Sequence, residues 1–203
     1  MANADTNFYQ TIEKESTAEF KDRGSRFIAY AFPVLSAEDF KKRLKELKEE
    51  HPKAAHHCFA YRIGTEGNNY RSSEDGEPSG TAGRPILGQI DSKSLTNVAI
   101  VVVRYFGGTL LGVPGLINAY KTASSSALQA GTVVKKPVFV NYRLQFDYTV
   151  LNDVMRIAKR HECLVLKQEL QLFCMMELAV PKANAGSCIP QLKDLKSMEL
   201  SAI

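Results

Sequence analysis

The chain has 203 residues, of which 44% are hydrophobic and 24% are charged, and these proportions are typical of a globular protein rather than a disordered or fibrous one. Its 26 basic and 22 acidic side chains give a net charge of +4, divided as +2 on residues 1–135 and +2 on residues 136–203. This charge is too mild to demand a nucleic-acid partner, and the longest aliphatic run, Val98 to Val103, is too short for a membrane helix of ~20 apolar residues.

The first elements in chain order are a strand, a helix and a hairpin. A strand is expected from Phe27 to Val34. A helix should follow it, with Ser36 as the capping residue and apolar residues at helical spacing through Leu47. Cys58 to Gly64 and Asn69 to Ser73 then predict two paired strands, because the turn residues Gly and Asn lie between them.

Two glycine-rich connections lead into the next two helices. Pro85 suits the first turn of the first helix. Val98 to Val103 is apolar at every position, which predicts a central strand covered on both faces. The second helix is expected to begin after Gly115 and to stop at Gly131. The polar run Lys135-Lys136-Pro137 then indicates a boundary between a domain of residues 1–135 and a domain of residues 136–203.

The second domain is expected to follow the order β-α-β-β-α-β, the split-βαβ or ferredoxin-like plan. Alternating residues predict a strand with one face open to solvent, which carries Asn141, Arg143 and Gln145. Pro190 should break or kink the second helix. The expected elements are a strand from Val138 to Tyr148, a helix through His161, strands near Cys163–Leu166 and Leu170–Val180, a weak helix from Ala183 to Leu195, and a strand from Met198 to Ile203. The fold class is therefore α+β with two domains.

The cysteines and the N-terminal residues indicate a cytoplasmic protein. Cys58, Cys163, Cys174 and Cys188 are widely separated and form no CxxC pair, so neither a disulfide scaffold nor a zinc site is expected. The first residues have no basic segment followed by an apolar one, as a secretion signal would. A reducing compartment fits these observations.

The glycine-rich connections are the strongest candidates for a binding site. Glycines let the backbone approach a ligand, and the helix that follows offers free N–H groups to an anion. Arginines can add charge-assisted contacts to phosphate, and an aromatic ring can stack on a base. The alternative interpretation is that these glycines only make tight turns and that the aromatic residue belongs to the core. The residues expected to bind phosphate or nucleic acid are Arg84, Arg104, Tyr105, Gly80, Gly83, Gly107, Gly108, Gly112 and Gly115.

A second polar group lies between the hairpin and the first of these helices. Glu74, Asp75 and Glu77 could serve acid/base chemistry, but three carboxylates beside turn residues more often form a solvated turn. His56 and His57 should point to opposite faces of their strand, so they cannot serve one site. No metal, no cofactor and no catalytic residue is expected.

Three long motifs resemble the signatures of the YigZ/IMPACT family. They are His56-His57, Asp75-Gly-Glu-Pro-Ser-Gly-Thr81-Ala-Gly-Arg-Pro85 and Val101-Val-Val-Arg-Tyr-Phe-Gly-Gly-Thr-Leu-Leu-Gly112, continued by Gly115, Leu116, Ala119 and Tyr120. Residues 11–131 look like the family's N-terminal domain, and the remainder is similar to the smaller C-terminal domain of its bacterial members. The resemblance makes His56, His57, Asp75, Glu77 and Thr81 a polar cluster of the family motif.

The resemblance implies a fold and a field of action. The N-terminal domain would share the fold of the second domain of ribosomal protein S5 and of the GHMP kinases, and the C-terminal domain would be ferredoxin-like, similar to elongation factor G modules. Eukaryotic IMPACT is a translational regulator that restrains a stress kinase by competing for the kinase's activator. It carries an RWD domain with no counterpart in these 203 residues, so the kinase role is not expected to transfer.

Three functions stay open on the sequence. The first is a non-catalytic protein of translation that binds RNA or the ribosome. The second is a phosphate- or nucleotide-binding enzyme of small molecules, with Glu77 or a histidine as the acid/base group. The third is a protein-interaction module that acts by competition. The expected partners are RNA or the ribosome, with a protein partner as the alternative, and no membrane.

Overall fold

A five-stranded antiparallel sheet is the centre of the first half of the structure. In the computed structural model, which describes residues 7–203, the chain divides into two compact units, Tyr9–Lys136 and Pro137–Ile203, and residues 7–8 group with the second. The elements of the first half are β1 (Phe8–Ile12), β2 (Ser16–Asp22), β3 (Ser25–Pro33), α1 (Ala37–Glu50), β4 (His56–Ile63), β5 (Asn69–Ser73), α2 (Gly83–Ser92), β6 (Val98–Tyr105), α3 (Gly112–Ala130) and β7 (Val133–Pro137).

The sheet order β2-β3-β6-β4-β5 places the apolar strand β6 at the centre, as its composition predicts. Its two faces support separate cores. Val98, Ile100 and Val102 pack with residues of α2 and α3, whereas Val101 and Val103 pack with residues of α1. The first face also carries the residues at the end of β6 and the start of β4 that form the candidate site.

The second unit is the βαββαβ domain that the sequence predicts. Its four-stranded antiparallel sheet has the order β11-β8-β10-β9, and its helices pack on one face of that sheet. On the open face, Arg143 is paired with Glu177 at 2.9 Å. The elements are β8 (Phe139–Asp147), a 3-10 turn (Tyr148–Val150), α4 (Leu151–Arg160), β9 (Leu164–Glu169), β10 (Phe173–Pro181), α5 (Lys182–Lys193) and β11 (Glu199–Ala202).

The structure departs from the sequence-based expectations at two helices. α3 begins at Gly112 rather than after Gly115, because proline is compatible with a first helical turn and Pro114 lies there. α5 continues through Pro190, where the sequence predicts a break or kink; the buried side chains of Cys188 and Leu192 lie on either side of the proline. Among residues 7–203, no helix is both long and apolar enough to cross a membrane.

Candidate functional site

Three strand ends meet at a buried polar cluster in the first unit. Near the end of β6, Arg104 lies opposite Phe27 of β3 on one side and His56 of β4 on the other. Residues directly opposite in a sheet point to the same face. Here that face is the one covered by α2 and α3, because Phe27 packs in the same core as Ile86 and Tyr120 of these helices.

The carboxylate of Glu77 is the centre of this cluster. Its Oε1 accepts hydrogen bonds from Arg104 Nη1 at 2.6 Å and from the Tyr120 hydroxyl at 2.7 Å, and His56 Nε2 lies 3.8 Å away. The Glu77 and Arg104 side chains are only 3% and 6% exposed. A buried charge is costly unless it is paired. The pair therefore ties the loop that contains Glu77 to β6, and Tyr120 ties the same loop to α3.

Arg104, which the sequence predicts as a phosphate contact, is buried and already paired with a carboxylate of the protein. Its charge is neutralised by Glu77, and its guanidinium carbon lies 5.4 Å from the Phe27 ring centre and 5.5 Å from that of Phe106. Its Nη2 is 3.5 Å from Ser25 Oγ, and its Nε has no hydrogen-bond partner among the described residues. Arg104 thus positions the surrounding elements from inside the core.

Cys58 and Tyr120 extend the cluster without adding a nucleophile. The Cys58 sulfur lies 3.3 Å from the Tyr120 hydroxyl and 2.9 Å from the carbonyl oxygen of Glu74. Burial raises the pKa of the Cys58 thiol and of the Tyr120 hydroxyl well above their ordinary values, so both stay protonated at neutral pH. His57 lies on the opposite face of β4 from Cys58, and burial lowers the pKa of its ring.

Asp75 links the two neighbouring histidines through the backbone. Its carboxylate accepts a hydrogen bond from the His57 N–H at 2.7 Å, and its carbonyl oxygen lies 2.8 Å from His56 Nδ1. Lys48 Nζ of α1 is 3.9 Å from the same carboxylate. The structure therefore brings His56, Asp75 and Glu77 together, and the His57 ring, on the other face of β4, reaches the Asp75 carboxylate with its Nδ1 at 4.0 Å.

The start of α2 is already occupied by an anion of the protein itself. Glu74 Oε2 accepts hydrogen bonds from the N–H groups of Ala82 at 2.7 Å and Gly83 at 3.0 Å. Thr81 is also satisfied, because its hydroxyl donates to the Pro78 carbonyl at 2.7 Å. The phosphate site expected at Gly80 and Gly83 is therefore filled by a carboxylate, which supplies the negative charge that a helix N-terminus favours.

Replacing Glu74 by alanine is expected to lower the free energy of unfolding by about 0.5–2 kcal/mol, the range for loss of a helix cap. The cause is that the residue before α2, Ala82, offers no side-chain cap of its own. Urea denaturation of both proteins would measure the difference. Glu74→Gln is the matched control, since it keeps an acceptor oxygen and should lose less. Equal stability of Glu74→Ala and the parent protein would contradict the capping role.

The start of α3 is different, since no side chain among the described residues caps it. The loop before it is exposed, including Gly107 and Gly108, and so are Gly112 and the residues that follow it, while Gly115 is half-buried. Its first turns therefore leave backbone N–H groups for water or a ligand. Of the two helix starts predicted to bind an anion, this is the accessible one.

Of the two aromatic residues that follow Arg104 in the sequence, Phe106, and not the expected Tyr105, contacts it. Tyr105 points to the α1 side of the sheet, where its hydroxyl lies 2.9 Å from His51 Nδ1, so it does not stand beside Arg104. Phe106, the other aromatic residue beside Arg104 in the sequence, lies over the Arg104 guanidinium and is 51% exposed. Arg84 at the start of α2 is exposed, as a phosphate contact requires.

Tyr120 and Glu74 belong to the site, although the sequence analysis names Tyr120 only within the family motif and Glu74 only within the carboxylate turn. A buried tyrosine hydroxyl generally needs a partner, and this is the signal in the sequence that points to an acceptor such as Glu77. Glu74 gave no such signal, because it is one of several carboxylates in a turn. Within residues 7–203, no three histidine, cysteine or acidic residues are grouped so as to hold a metal ion.

Comparison with known proteins identifies the family. Residues 23–128, just over half of the chain, match the family model described as the Impact N-terminal domain. IMPACT family member YigZ of Escherichia coli (strain K12) is 33% identical over 183 residues, 88% of this chain and 90% of that protein. Protein IMPACT of Rattus norvegicus is 37% identical over 100 residues, 47% of this chain and 31% of that protein. A solved structure described as "Crystal structure of an hypothetical protein" is 31% identical with a TM-score of 0.80 and covers 98% of each chain. The chain therefore belongs to the IMPACT family.

Proposed function

We propose that this chain is a non-catalytic regulatory protein of translation that acts by binding RNA, free or within the ribosome. The observation that carries the proposal is the start of α3, an uncapped helix N-terminus behind an exposed glycine-rich loop. The backbone N–H groups and the dipole of such a terminus favour a phosphate group. Membership of the IMPACT family supports a role in translation, since the family resemblance implies translational regulation.

Two exposed side chains of the first unit supply the other contacts that RNA needs. Phe106 is anchored over Arg104 and half exposed, so its ring can stack on an unpaired base. Arg84 stands at the start of α2, the helix that packs beside α3, and can hold a phosphate. Arg104 and Glu77 act indirectly, because they fix the strand end from which the loop departs.

A catalytic role for Glu77 is less well supported than this binding role. Arg104 and Tyr120 both donate to Oε1 of its carboxylate, which gives Glu77 a structural role as the acceptor that joins β6 and α3. The surrounding Cys58 and Tyr120 stay protonated, as described above.

The free thiols of all four cysteines support a reducing compartment, and we propose that the protein acts in the cytoplasm.

The RNA proposal is tested by fluorescence anisotropy with single-stranded, duplex and ribosomal RNA over a range of salt concentrations. Arg84→Glu is expected to weaken binding to all sequences alike and to reduce the slope of log affinity against log salt by about 0.7–0.9. Lys42→Glu is the matched control, because it makes the same charge change on an exposed residue of α1, across the sheet. Absence of binding at low salt, or equal loss in both variants, would refute the assignment.

A second candidate function, protein binding by competition, is favoured by one specific observation. Leu110, Val113 and Ile117 are 82%, 53% and 37% exposed, and their spacing places them along one side of the loop and the first turns of α3. Exposed apolar patches of this kind mark protein-interaction sites. In a nuclease-treated pull-down, a stoichiometric protein partner lost in Leu110→Glu but retained in Leu35→Glu, which alters another exposed leucine, would favour this function over RNA binding.

A further inference from the structure

The strand β9 at one edge of the second unit is exposed along its whole length. All six residues from Leu164 to Glu169 are exposed, and so are the four that follow. The apolar ones include Leu166 at 52%, Leu170 at 42% and Phe173 at 76% exposed. Within residues 7–203, β9 pairs with β10 alone, so its outer edge presents unpaired backbone groups beside apolar side chains. Such an edge is a template for pairing with another strand.

The regular part of this edge has a defined arrangement of charges. β9 pairs regularly with β10 from Lys167 to Glu169, and an irregularity interrupts the pairing between Val165 and Lys167. Lys167 and Glu169 therefore share one face, where Lys167 Nζ lies 2.8 Å from Glu169 Oε1, and Gln168 points to the other face. Both charged side chains are exposed, at 60% and 51%, so their mutual pair is readily exchanged for another.

We propose that β9 is a dimerisation edge, which pairs with β9 of a second copy of this chain in antiparallel orientation about a two-fold axis at Gln168. In this register Lys167 lies opposite Glu169 of the second copy, and Glu169 opposite Lys167. The two four-stranded sheets become one continuous sheet.

The charges select this register over its neighbours. In a continuous sheet with the helices of both copies on one side, opposite residues point to the same face. Opposite positions therefore differ by an even number, and the two-fold axis lies where one residue faces the same residue of the second copy. An axis at Lys167 would oppose two lysines, and an axis at Glu169 would oppose two glutamates; like charges directly opposite are destabilising. Of these three axis positions, only the one at Gln168 places opposite charges against each other, and it does so twice in each dimer.

The test is a charge exchange between two variants of the full chain. Sedimentation velocity over a concentration series should show a 22.5 kDa monomer converting to a dimer in the parent protein. Lys167→Glu and Glu169→Lys should each weaken dimerisation about tenfold, because each places like charges opposite each other twice. An equimolar mixture of the two variants should dimerise again. In the heterodimer one copy carries only negative charges at positions 167 and 169 and the other only positive charges, so every opposite pair is attractive.

Three outcomes would overturn the proposal. They are a parent protein that stays monomeric at every concentration, a dimer that both single variants leave unchanged, and a mixture that dimerises no better than the variants alone. A parent protein that stays monomeric would indicate that the edge of β9 pairs with a strand of a different protein. Hydrogen exchange of the parent chain gives an independent check that needs no variant, because the amides of β9 that point away from β10 should become protected as the concentration rises.

Discussion

Replacing Arg104 by alanine is expected to lower the free energy of unfolding by about 3–5 kcal/mol, which is the range for breaking a buried ion pair. The change leaves the Glu77 carboxylate, 3% exposed, without the guanidinium that neutralises it. It also removes the packing of Arg104 against the Phe27 ring. Chemical denaturation followed by circular dichroism would measure the loss, and a change below about 1 kcal/mol would place Arg104 on the surface instead.

A double variant separates the charge effect from the loss of packing. Arg104→Met alone should be strongly destabilised, because it too leaves Glu77 charged and unpaired. Adding Glu77→Gln removes that charge and keeps an oxygen that can accept a hydrogen bond from the Tyr120 hydroxyl. We expect the double variant to regain about 1–3 kcal/mol relative to Arg104→Met, a coupling typical of residues in contact. Arg84→Ala, an exposed control, should change stability by no more than about 0.5 kcal/mol.

This result also decides which variants can test RNA binding. A variant of Arg104 would lose binding through unfolding of the strand end, even if RNA never touched the arginine. Arg84 and Phe106 are exposed, so substitutions there report on contact rather than on stability. The family motif around Arg104 therefore contains a buried ion pair that holds the elements together and an exposed loop, which is the part that we propose contacts RNA.

Several local elements of the fold were predictable, because local patterns determine them. The hairpin strand β5 begins and ends where the sequence predicts, at Asn69 and Ser73, and α3 is followed by the expected Gly131. The alternation along β4 is confirmed, since Cys58 and Ala60 pack in one core and Phe59 in the other. In each case the information lies within one or two turns or strands of the residue concerned.

The burial of the site residues was not predictable, because it depends on contacts between distant segments. An arginine at the end of an apolar strand resembles an exposed residue until Glu77, 27 positions earlier in the chain, is placed against it. Tyr105 follows Arg104 directly, so the two side chains point to opposite faces of the sheet. The alternation rule predicts this, and the expected pair of Tyr105 with Arg104 did not take it into account. The short sheet of β1 and β7 was missed because it joins segments over a hundred residues apart.

Gly107→Ala is expected to cost about 1–3 kcal/mol or more, because a side chain at this position has no space. A Cβ atom at Gly107 would lie 1.9 Å from the backbone carbon of Gly24 and 2.2 Å from the Ser25 nitrogen, and backbone atoms cannot move aside as a flexible side chain can. The hydrogen bond from the Gly107 N–H to Ser25 Oγ, 3.2 Å long, would be lost with this approach.

The same change should affect binding more than a loss of stability alone would. The loop from Phe106 to Leu110 leaves β6 at this contact, so displacing Gly107 moves Phe106 and the start of α3 relative to each other. Gly88→Ala is the matched control, since Gly88 lies within α2 with open space around its Cβ position; alanine there should stabilise the protein by about 0.5–1 kcal/mol. If Gly107→Ala melts at the temperature of the parent protein and binds RNA equally well, the close approach to Gly24 is not what holds the loop. The start of α3 must then be positioned by Leu111 and Leu116 in the core.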